Sequence, residues 1–244
     1  MIGSSSAIWR IPQMSASLQI GLLVFPKVTQ LDLTGPVQVF SSMPGAAVHL
    51  VWKRIEPVQS DSVLVLTPTT TLADCPQLDV ICVPGGVGSD DLLNDEEVLA
   101  FLRRQAAGAK FVTSVCTGSL VLGAAGLLRG YRAATHWTAM DNLKAFGATP
   151  TKSRVCIDRN RVTGGGVTAG IDFALTLVAM LRDQKTAQAI QLRLEYDPAP
   201  PFNAGSPDTA PAEVLALINE RIASHKAIRA EAVARAAARL TKAA

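Results

Sequence analysis

The feature of this sequence that most constrains its fold is an abrupt change of hydrophobic pattern at one cysteine. Residues 111–115 form an apolar, β-rich run, and residues 119–125 show the small-residue pattern of a buried helix. Cys116 falls at the junction between them. A strand that turns at once into a helix must bend sharply, and the small residues at 117–119 permit such a bend. The pattern therefore predicts a nucleophile elbow built on sulfur instead of serine oxygen.

The position of Cys116 also predicts its chemistry. The start of a helix carries unpaired N–H groups and a partial positive charge. Both features favour the thiolate, so we expect a lowered pKa and a reactive sulfur at Cys116. The alternative is a small buried hydrophobe, which is the usual role of a single cysteine in an apolar setting. We interpret Cys75, Cys82 and Cys156 in that way.

The bulk composition favours a single α/β domain. The chain has 244 residues, of which 48% are apolar and few are aromatic, so one large core is possible. An apolar set dominated by Ala, Leu and Val suits helices packed on a parallel sheet. We predict a disordered or cloning-derived extension at residues 1–17 and one catalytic domain at residues 18–244, which includes the C-terminal helix.

Charge and cysteine content argue against several classes of function. The net charge of +3 is too small to indicate a nucleic-acid or membrane partner. The four cysteines form no CxxC pair and no close Cys/His cluster, which argues against a disulfide framework and against a metal site. Reduced thiols and a cytoplasmic location are the simpler interpretation. No apolar run approaches the roughly 20 residues that span a bilayer.

The order of the elements predicts where a site should lie. Strand and helix patterns alternate, which indicates a mostly parallel sheet sandwiched by helices, with sites at the carboxyl ends of strands. Asp32 follows the first strand, Gly85 and Gly86 follow a core strand, and Cys116 follows the next strand. We expect these residues to share one pocket, where the glycine N–H groups approach a ligand closely. A carboxylate at the start of the helix predicted over residues 32–40 could instead simply cap it.

The C-terminal region is predicted to form one helix over residues 212–240. Val214, Ile218 and Ile222 recur at four-residue steps and form an apolar stripe. The lysines and arginines of this region are interspersed with glutamates, which is typical of a solvated face. A loop rich in Pro, Gly, Ser and Asn precedes the helix at residues 197–211.

Four short motifs resemble the ThiJ/PfpI superfamily. They are Val-Pro-Gly-Gly (83–86), Ser-Val-Cys-Thr-Gly (114–118), Arg-Ala-Ala-Thr-His-Trp (132–137) and Thr-Ala-Gly-Ile-Asp (168–172). Within the superfamily, the chain is most similar to the branch that hydrates isonitriles, from about residue 19 to the C-terminal helix. That similarity rests on longer blocks at residues 30–36, 114–128 and 195–211. The resemblance implies the class I glutamine-amidotransferase-like, or flavodoxin-like, fold.

The resemblance also implies roles for individual residues. Cys116 would be the nucleophile, Asp32 the acid/base and Thr117 its hydroxyl-bearing neighbour. His136 matches a histidine of relatives at a similar place, and we interpret it as structural or supporting. The substrate would be a small isonitrile, R–N≡C, which water converts to the formamide R–NH–CHO through a covalent thioimidate. The branch implies a homodimer and neither a metal nor an organic cofactor.

Two departures from other branches of the superfamily separate the alternatives. Thr117 stands where the family proteases have a histidine, which argues against peptidase activity. Asp32 stands where many relatives have glutamate, which leaves more room for substrate. A glyoxalase or deglycase-like enzyme and a cysteine redox sensor stay open, since both would share the elbow. A regulatory module would need a DNA-binding region, for which the chain after the domain leaves no room.

Overall fold

The computed structural model describes residues 17–242, so most of the predicted extension at residues 1–17 lies outside it. Its strands are β1 (Leu18–Leu23), β2 (Ala46–Trp52), β3 (Val58–Gln59), β4 (Val65–Leu66), β5 (Thr70–Thr71), β6 (Val80–Val83), β7 (Phe111–Val115), β8 (Arg132–Ala133), β9 (Thr149–Pro150), β10 (Val155–Asp158) and β11 (Arg161–Gly164). Its helices are α1 (Gln30–Phe40), α2 (Ser89–Leu92), α3 (Glu96–Ala106), α4 (Gly118–Ala124), α5 (Ala169–Leu181), α6 (Gln184–Arg193), α7 (Ala212–Arg221) and α8 (Ala223–Lys242). A 3-10 helix at Trp137–Phe146 lies between α4 and α5 in the chain.

Seven of these strands form one sheet in the order β10-β11-β7-β6-β1-β2-β5. Every neighbouring pair is parallel except the hairpin of β10 and β11. This arrangement confirms the predicted mostly parallel sheet. The strands β7, β6 and β1 are adjacent, so the segments that follow them meet at one edge of the sheet.

The sheet is covered by two groups of helices. In the first group α1 packs on α5, and α5 packs on α6; in the second, α4 contacts α2, α3, α8 and the 3-10 helix. Because both faces are covered, the central strands are apolar almost throughout, with Ile20, Leu22, Val80, Val83 and Val112 fully buried.

The C-terminal region differs from the single predicted helix. The chain leaves helical geometry at Ile222, where φ is −97° and ψ is 1°, and this residue separates α7 from α8. Helix α8 packs against α4 and against the 3-10 helix, whereas α7 has no buried residue. The break divides the region into two helices, which a continuous helical pattern in the sequence does not reveal.

Two further properties concern the part of the chain that the structure describes. None of the helices in residues 17–242 combines the length and the apolar character that a membrane span requires. The same residues contain no group of three or more His, Cys, Asp or Glu side chains placed to hold a metal ion.

Candidate active site

Cys116 occupies the predicted elbow between β7 and α4. Its φ of 56° lies in the left-handed region, which is costly for a residue with a side chain and makes the sharp bend predicted at this position. Its N–H donates to the carbonyls of Gly164 and Gly165 at 3.1 and 2.9 Å. Its carbonyl accepts from the hydroxyls of Thr135 at 2.9 Å and Ser119 at 3.2 Å. These four hydrogen bonds hold the sulfur at one place on the sheet edge.

Asp32 is fully buried in the first turn of α1 and faces the elbow. Its Oδ2 accepts the Gly85 N–H at 2.9 Å. Its Oδ1 is buried and has no hydrogen-bond partner within residues 17–242. Thr29, not Asp32, is the N-terminal cap residue of α1, and its side chain makes no capping hydrogen bond. The capping interpretation of Asp32 is therefore wrong, and one carboxyl oxygen is available for proton transfer.

The environment of Asp32 sets its protonation near neutral pH. Burial raises the pKa of Asp32 to about 7, although the N–H of Gly85 and the Cys116 thiol favour its charged form. The negative charge of Asp61 adds a smaller upward contribution to the pKa. A carboxyl group with a pKa in this range can give a proton at one step and take one at the next, which suits the acid/base role predicted for Asp32.

The expected low pKa of Cys116 is wrong for the free protein. Burial raises the pKa of the Cys116 thiol well above its usual value, and the negative charge of Asp32 raises it further. The N–H and hydroxyl of Thr117 oppose these effects by favouring the thiolate. Burial outweighs the helix start because the thiolate loses its hydration while only a few donors face it. The resting sulfur is therefore a thiol beside a carboxyl group.

The glycine pair supports the site in a different way from the one expected. The Gly85 N–H is bonded to Asp32, and the Gly86 N–H donates to Thr117 Oγ1 at 3.1 Å. Both N–H groups are thus engaged by the protein instead of being free for developing charge. A Cβ at Gly85 would lie 2.6 Å from the Thr117 nitrogen, and Gly86 has a φ of +123°. Glycine is needed here for close packing of the catalytic segments.

Thr117 and His136 both lie beside the elbow. The Thr117 hydroxyl is buried and is held by Gly86 and by Ser89 Oγ, at 2.8 Å, and makes no hydrogen bond to Asp32. His136 accepts the Thr138 N–H on Nδ1 and so caps the 3-10 helix. Burial and the positive charge of Arg229 lower the pKa of His136 to about 4. A neutral, capping His136 fits the supporting interpretation and not that of a general base.

A cavity of about 410 Å³ opens at this edge of the sheet. Its wall includes Cys116, Thr117, Gly86 and His136, and it is closed by the 204–207 loop and by α7 and α8. The predicted apolar stripe lies in the cavity wall, with Val214 and Ile218 on α7 and Ile222 at the break after it. Four of the six predicted site residues thus line one cavity. Asp32 and Gly85 do not line it; they are bonded to each other, and Asp32 lies beside Cys116.

Two residues of the site were missed by sequence reasoning. Ser89 fixes the Thr117 hydroxyl and donates to the Gly86 carbonyl at 2.7 Å. Arg229, predicted to lie on a solvated face, is only 5% exposed and donates to Asp90 Oδ1 at 2.8 Å. The four-residue spacing of His225 and Arg229 was the available signal, because it places both side chains on one face of a helix.

Replacing Asp32 by asparagine is expected to stabilise the fold at alkaline pH. The raised pKa means that the native state binds a proton more tightly than the unfolded chain, so stability falls as pH rises from about 4 to about 7. The Asp32→Asn variant lacks this loss of stability. Its free energy of unfolding should exceed that of the wild type by roughly 2–4 kcal/mol at pH 8 and by little at pH 4. Urea unfolding at both pH values measures the difference.

The matched control for this stability test is Asp197→Asn. Asp197 is an exposed carboxylate without a side-chain hydrogen bond in residues 17–242, so its replacement should change the free energy of unfolding little at pH 8. An Asp32→Asn variant no more stable than the wild type at pH 8 would contradict a raised pKa at Asp32.

Comparison with known proteins agrees with this geometry. Residues 19–180 match the DJ-1/PfpI family. The chain is 60% identical over 224 residues to the isonitrile hydratase of Pseudomonas putida. The aligned residues cover 92% of this chain and 98% of that protein. It is 30% identical to an HTH-type transcriptional regulator of Pseudomonas aeruginosa, over 76% of this chain but only 53% of the regulator.

Solved structures show the same fold. A ThiJ/PfpI family protein from Pseudomonas syringae superposes with a TM-score of 0.87 at 48% identity, covering 96% of this chain and 97% of that one. Toxoplasma gondii DJ-1 superposes with a TM-score of 0.67 at 22% identity, which supports the fold alone. The motifs around Cys116, the elbow they build and these matches agree, and the chain belongs to the DJ-1/PfpI family.

Proposed function

We propose that this protein hydrates isonitriles to N-substituted formamides. The observation that carries the proposal is the pairing of a thiol at a strained elbow with a buried carboxyl group whose pKa is about 7. The 60% identity to the Pseudomonas putida isonitrile hydratase supports the same reaction. We also keep the predicted homodimer and cytoplasmic location as parts of the proposal.

The first half of the reaction forms a covalent thioimidate. The Cys116 sulfur adds to the terminal carbon of R–N≡C, and the carboxylate of Asp32 takes the thiol proton. Asp32 then gives that proton to the same carbon, which would otherwise keep its lone pair. The product is Cys–S–CH=N–R, and Asp32 is again a carboxylate. In the free enzyme the pair holds one proton, which is the state favoured between the pKa of Asp32 and the higher pKa of Cys116, and this proton ends on the carbon of the thioimidate.

The second half of the reaction adds water to the same carbon. Asp32 takes a proton from water as the water oxygen attacks the thioimidate carbon. Asp32 then delivers that proton to the nitrogen. The resulting adduct is Cys–S–CH(OH)–NH–R. The carbon–sulfur bond breaks as the C–OH oxygen becomes a carbonyl, and the hydroxyl proton returns to sulfur through Asp32. The formamide R–NH–CHO leaves, and the thiol is restored without any other reactant.

The remaining residues of the site position these two groups. Gly85 holds one oxygen of Asp32 and leaves Oδ1 directed to the chemistry. The N–H and hydroxyl of Thr117 favour negative charge on the sulfur, which develops when the thioimidate adduct collapses. His136 remains neutral and keeps the 3-10 helix in place at the cavity wall.

The test of this proposal is turnover of simple aliphatic and aromatic isonitriles by the pure protein. Formamide formation is followed directly, and rapid acid quenching with mass spectrometry should show one isonitrile mass added to the peptide that contains Cys116. Absence of turnover with every isonitrile would refute the proposed function. Methylglyoxal and peroxide assays would then distinguish a glyoxalase-like enzyme from a redox sensor.

A further inference from the structure

The charged residues that line the cavity are both cationic. Arg229 and Lys226, on the first turns of α8, lie in its wall, and His225 lies beside them. No aspartate or glutamate among the described residues reaches the lining. The proposed hydration needs no such charge, since the isonitrile group and the formamide are neutral. We therefore assign these cationic side chains to the R group of the isonitrile and not to its reacting carbon.

Arg229 is held rigidly and keeps donors free. Its Nε donates to Asp90 Oδ1 at 2.8 Å, and its Nη2 lies 2.7 Å from His225 Nε2. Its Nη1 makes no hydrogen bond to any residue in the range 17–242. Arg229 is only 5% exposed, and two of its guanidinium nitrogens are already fixed by hydrogen bonds. Its third nitrogen can therefore bind a ligand without further loss of side-chain freedom.

Lys226 supplies a second, more mobile cation to the same wall. Its ammonium group donates to Asn219 Oδ1 at 2.9 Å and lies 5.6 Å from the centre of the Trp137 ring. No carboxylate pairs with Lys226 in the described part of the chain. Its charge is therefore not neutralised by the protein, whereas that of Arg229 is shared with Asp90.

Much of the remaining cavity wall is apolar. Val87 and Val167 face the cavity together with the stripe of Ile218 and Ile222. An apolar wall next to a cationic end matches a substrate with a hydrocarbon segment and a terminal anion. A purely hydrocarbon R group would leave the free donor of Arg229 and the Lys226 charge desolvated without a partner, which is unfavourable.

We propose that the protein selects isonitriles whose R group is an aliphatic chain ending in a carboxylate, bound by Arg229 and Lys226. The inference rests on the proposed function and names its substrate class. Arg229 and Lys226 act here as specificity-determining residues, whereas Cys116 and Asp32 perform the chemistry.

The experiment compares straight-chain isocyano carboxylates of increasing length with primary amides of the same length. Wild-type kcat/KM should favour the carboxylate at one chain length by roughly 10- to 100-fold, the range expected when a charge-assisted hydrogen bond is replaced by a neutral one. Lys226→Gln and Arg229→Gln should each reduce this ratio. Lys226 is partly exposed, so Lys226→Gln provides the test even if Arg229→Gln fails to fold around the buried Asp90.

The matched control is Arg235→Gln. Arg235 is an exposed cation on the same helix and does not line the cavity, so the carboxylate-to-amide ratio should stay at the wild-type value. A purely structural role of Arg229, fastening α8 to Asp90, would lower turnover of both substrates and leave their ratio unchanged. That result, or equal kcat/KM for carboxylate and amide at every length, would overturn the inference while leaving isonitrile hydration intact.

A binding measurement separates the two proposals if no isonitrile reacts. Calorimetric titration with the matching N-formyl carboxylates and N-formyl amides should show tighter binding of the carboxylates, and the difference should shrink in Lys226→Gln. Failure of turnover alone refutes the proposed hydration, whereas equal binding of both formamides refutes the cationic recognition.

Discussion

Cys116→Ala is expected to abolish isonitrile hydration, with kcat/KM reduced by more than about 10⁴-fold. Without the sulfur no thioimidate forms, and Asp32 alone would have to direct water onto an unactivated isonitrile carbon. Cys116→Ser should be similarly inactive, because a serine hydroxyl is a much weaker acid and nucleophile than a thiol. Formamide formation, measured over hours with concentrated enzyme, gives the residual rate.

Thermal unfolding tells a lost nucleophile apart from a lost fold in this experiment. Both variants should unfold near the wild-type temperature, since either replacement fits the small volume of the elbow. The matched control is Cys75→Ala, because Cys75 is half-buried and lies outside the cavity wall. Its activity should equal that of the wild type. A Cys116→Ala variant with near-normal turnover would refute the covalent mechanism.

Asp32→Asn should lower kcat/KM by about 10²- to 10⁴-fold, the usual contribution of a positioned acid/base. An amide can still accept the Gly85 N–H, so the surrounding segments keep their packing. It cannot take the thiol proton or return it to carbon. The loss in activity should accompany the gain in stability at pH 8, a combination that damage to the fold would not produce.

The pH profile identifies the role of Asp32 more sharply than the rate alone. Below the pKa of about 7 the pair carries two protons, one on Asp32 and one on Cys116, and no group is left to receive the thiol proton. We therefore expect wild-type kcat/KM to rise with pH through about 7 and to level off above it. In Asp32→Asn this acid limb should disappear.

The control for the pH profile is again Asp197→Asn. In this variant kcat/KM should rise with pH over the same range as in the wild type. A full acid limb in Asp32→Asn would assign the titration near pH 7 to another group. An unchanged rate in that variant would leave Asp32 with the sole task of holding Gly85.

Much of the site was predictable because its signals are local. The change of pattern at Cys116 lies within a few residues, and it led to the elbow that the left-handed backbone confirms. Asp32, Gly85 and Cys116 each follow a strand of a parallel sheet, so the rule for carboxyl ends placed them together. The adjacency of β1, β6 and β7 made that placement correct.

The electrostatics of the site were not predictable from the same signals. A helix start after Cys116 indicated a low thiol pKa, yet burial by the whole domain and the charge of Asp32 raise it. The free N–H groups expected at Gly85 and Gly86 turned out to be bonded to Asp32 and Thr117. Desolvation and hydrogen-bond pairing depend on all surrounding segments, which no single stretch of sequence contains.

The sequence by itself determined the fold class, the elbow and the set of residues at the sheet edge. The hydrophobic period, the small residues and the alternation of strand and helix patterns are each visible in short stretches of the chain. Only the tertiary structure decided that the C-terminal region breaks at Ile222 and buries Arg229 against Asp90, 139 positions earlier. From the sequence alone, a charged residue on a helix is predicted to be solvated, because its counter-ion on a distant segment is not visible. Packing between remote elements, rather than local pattern, therefore decided which cations face the cavity.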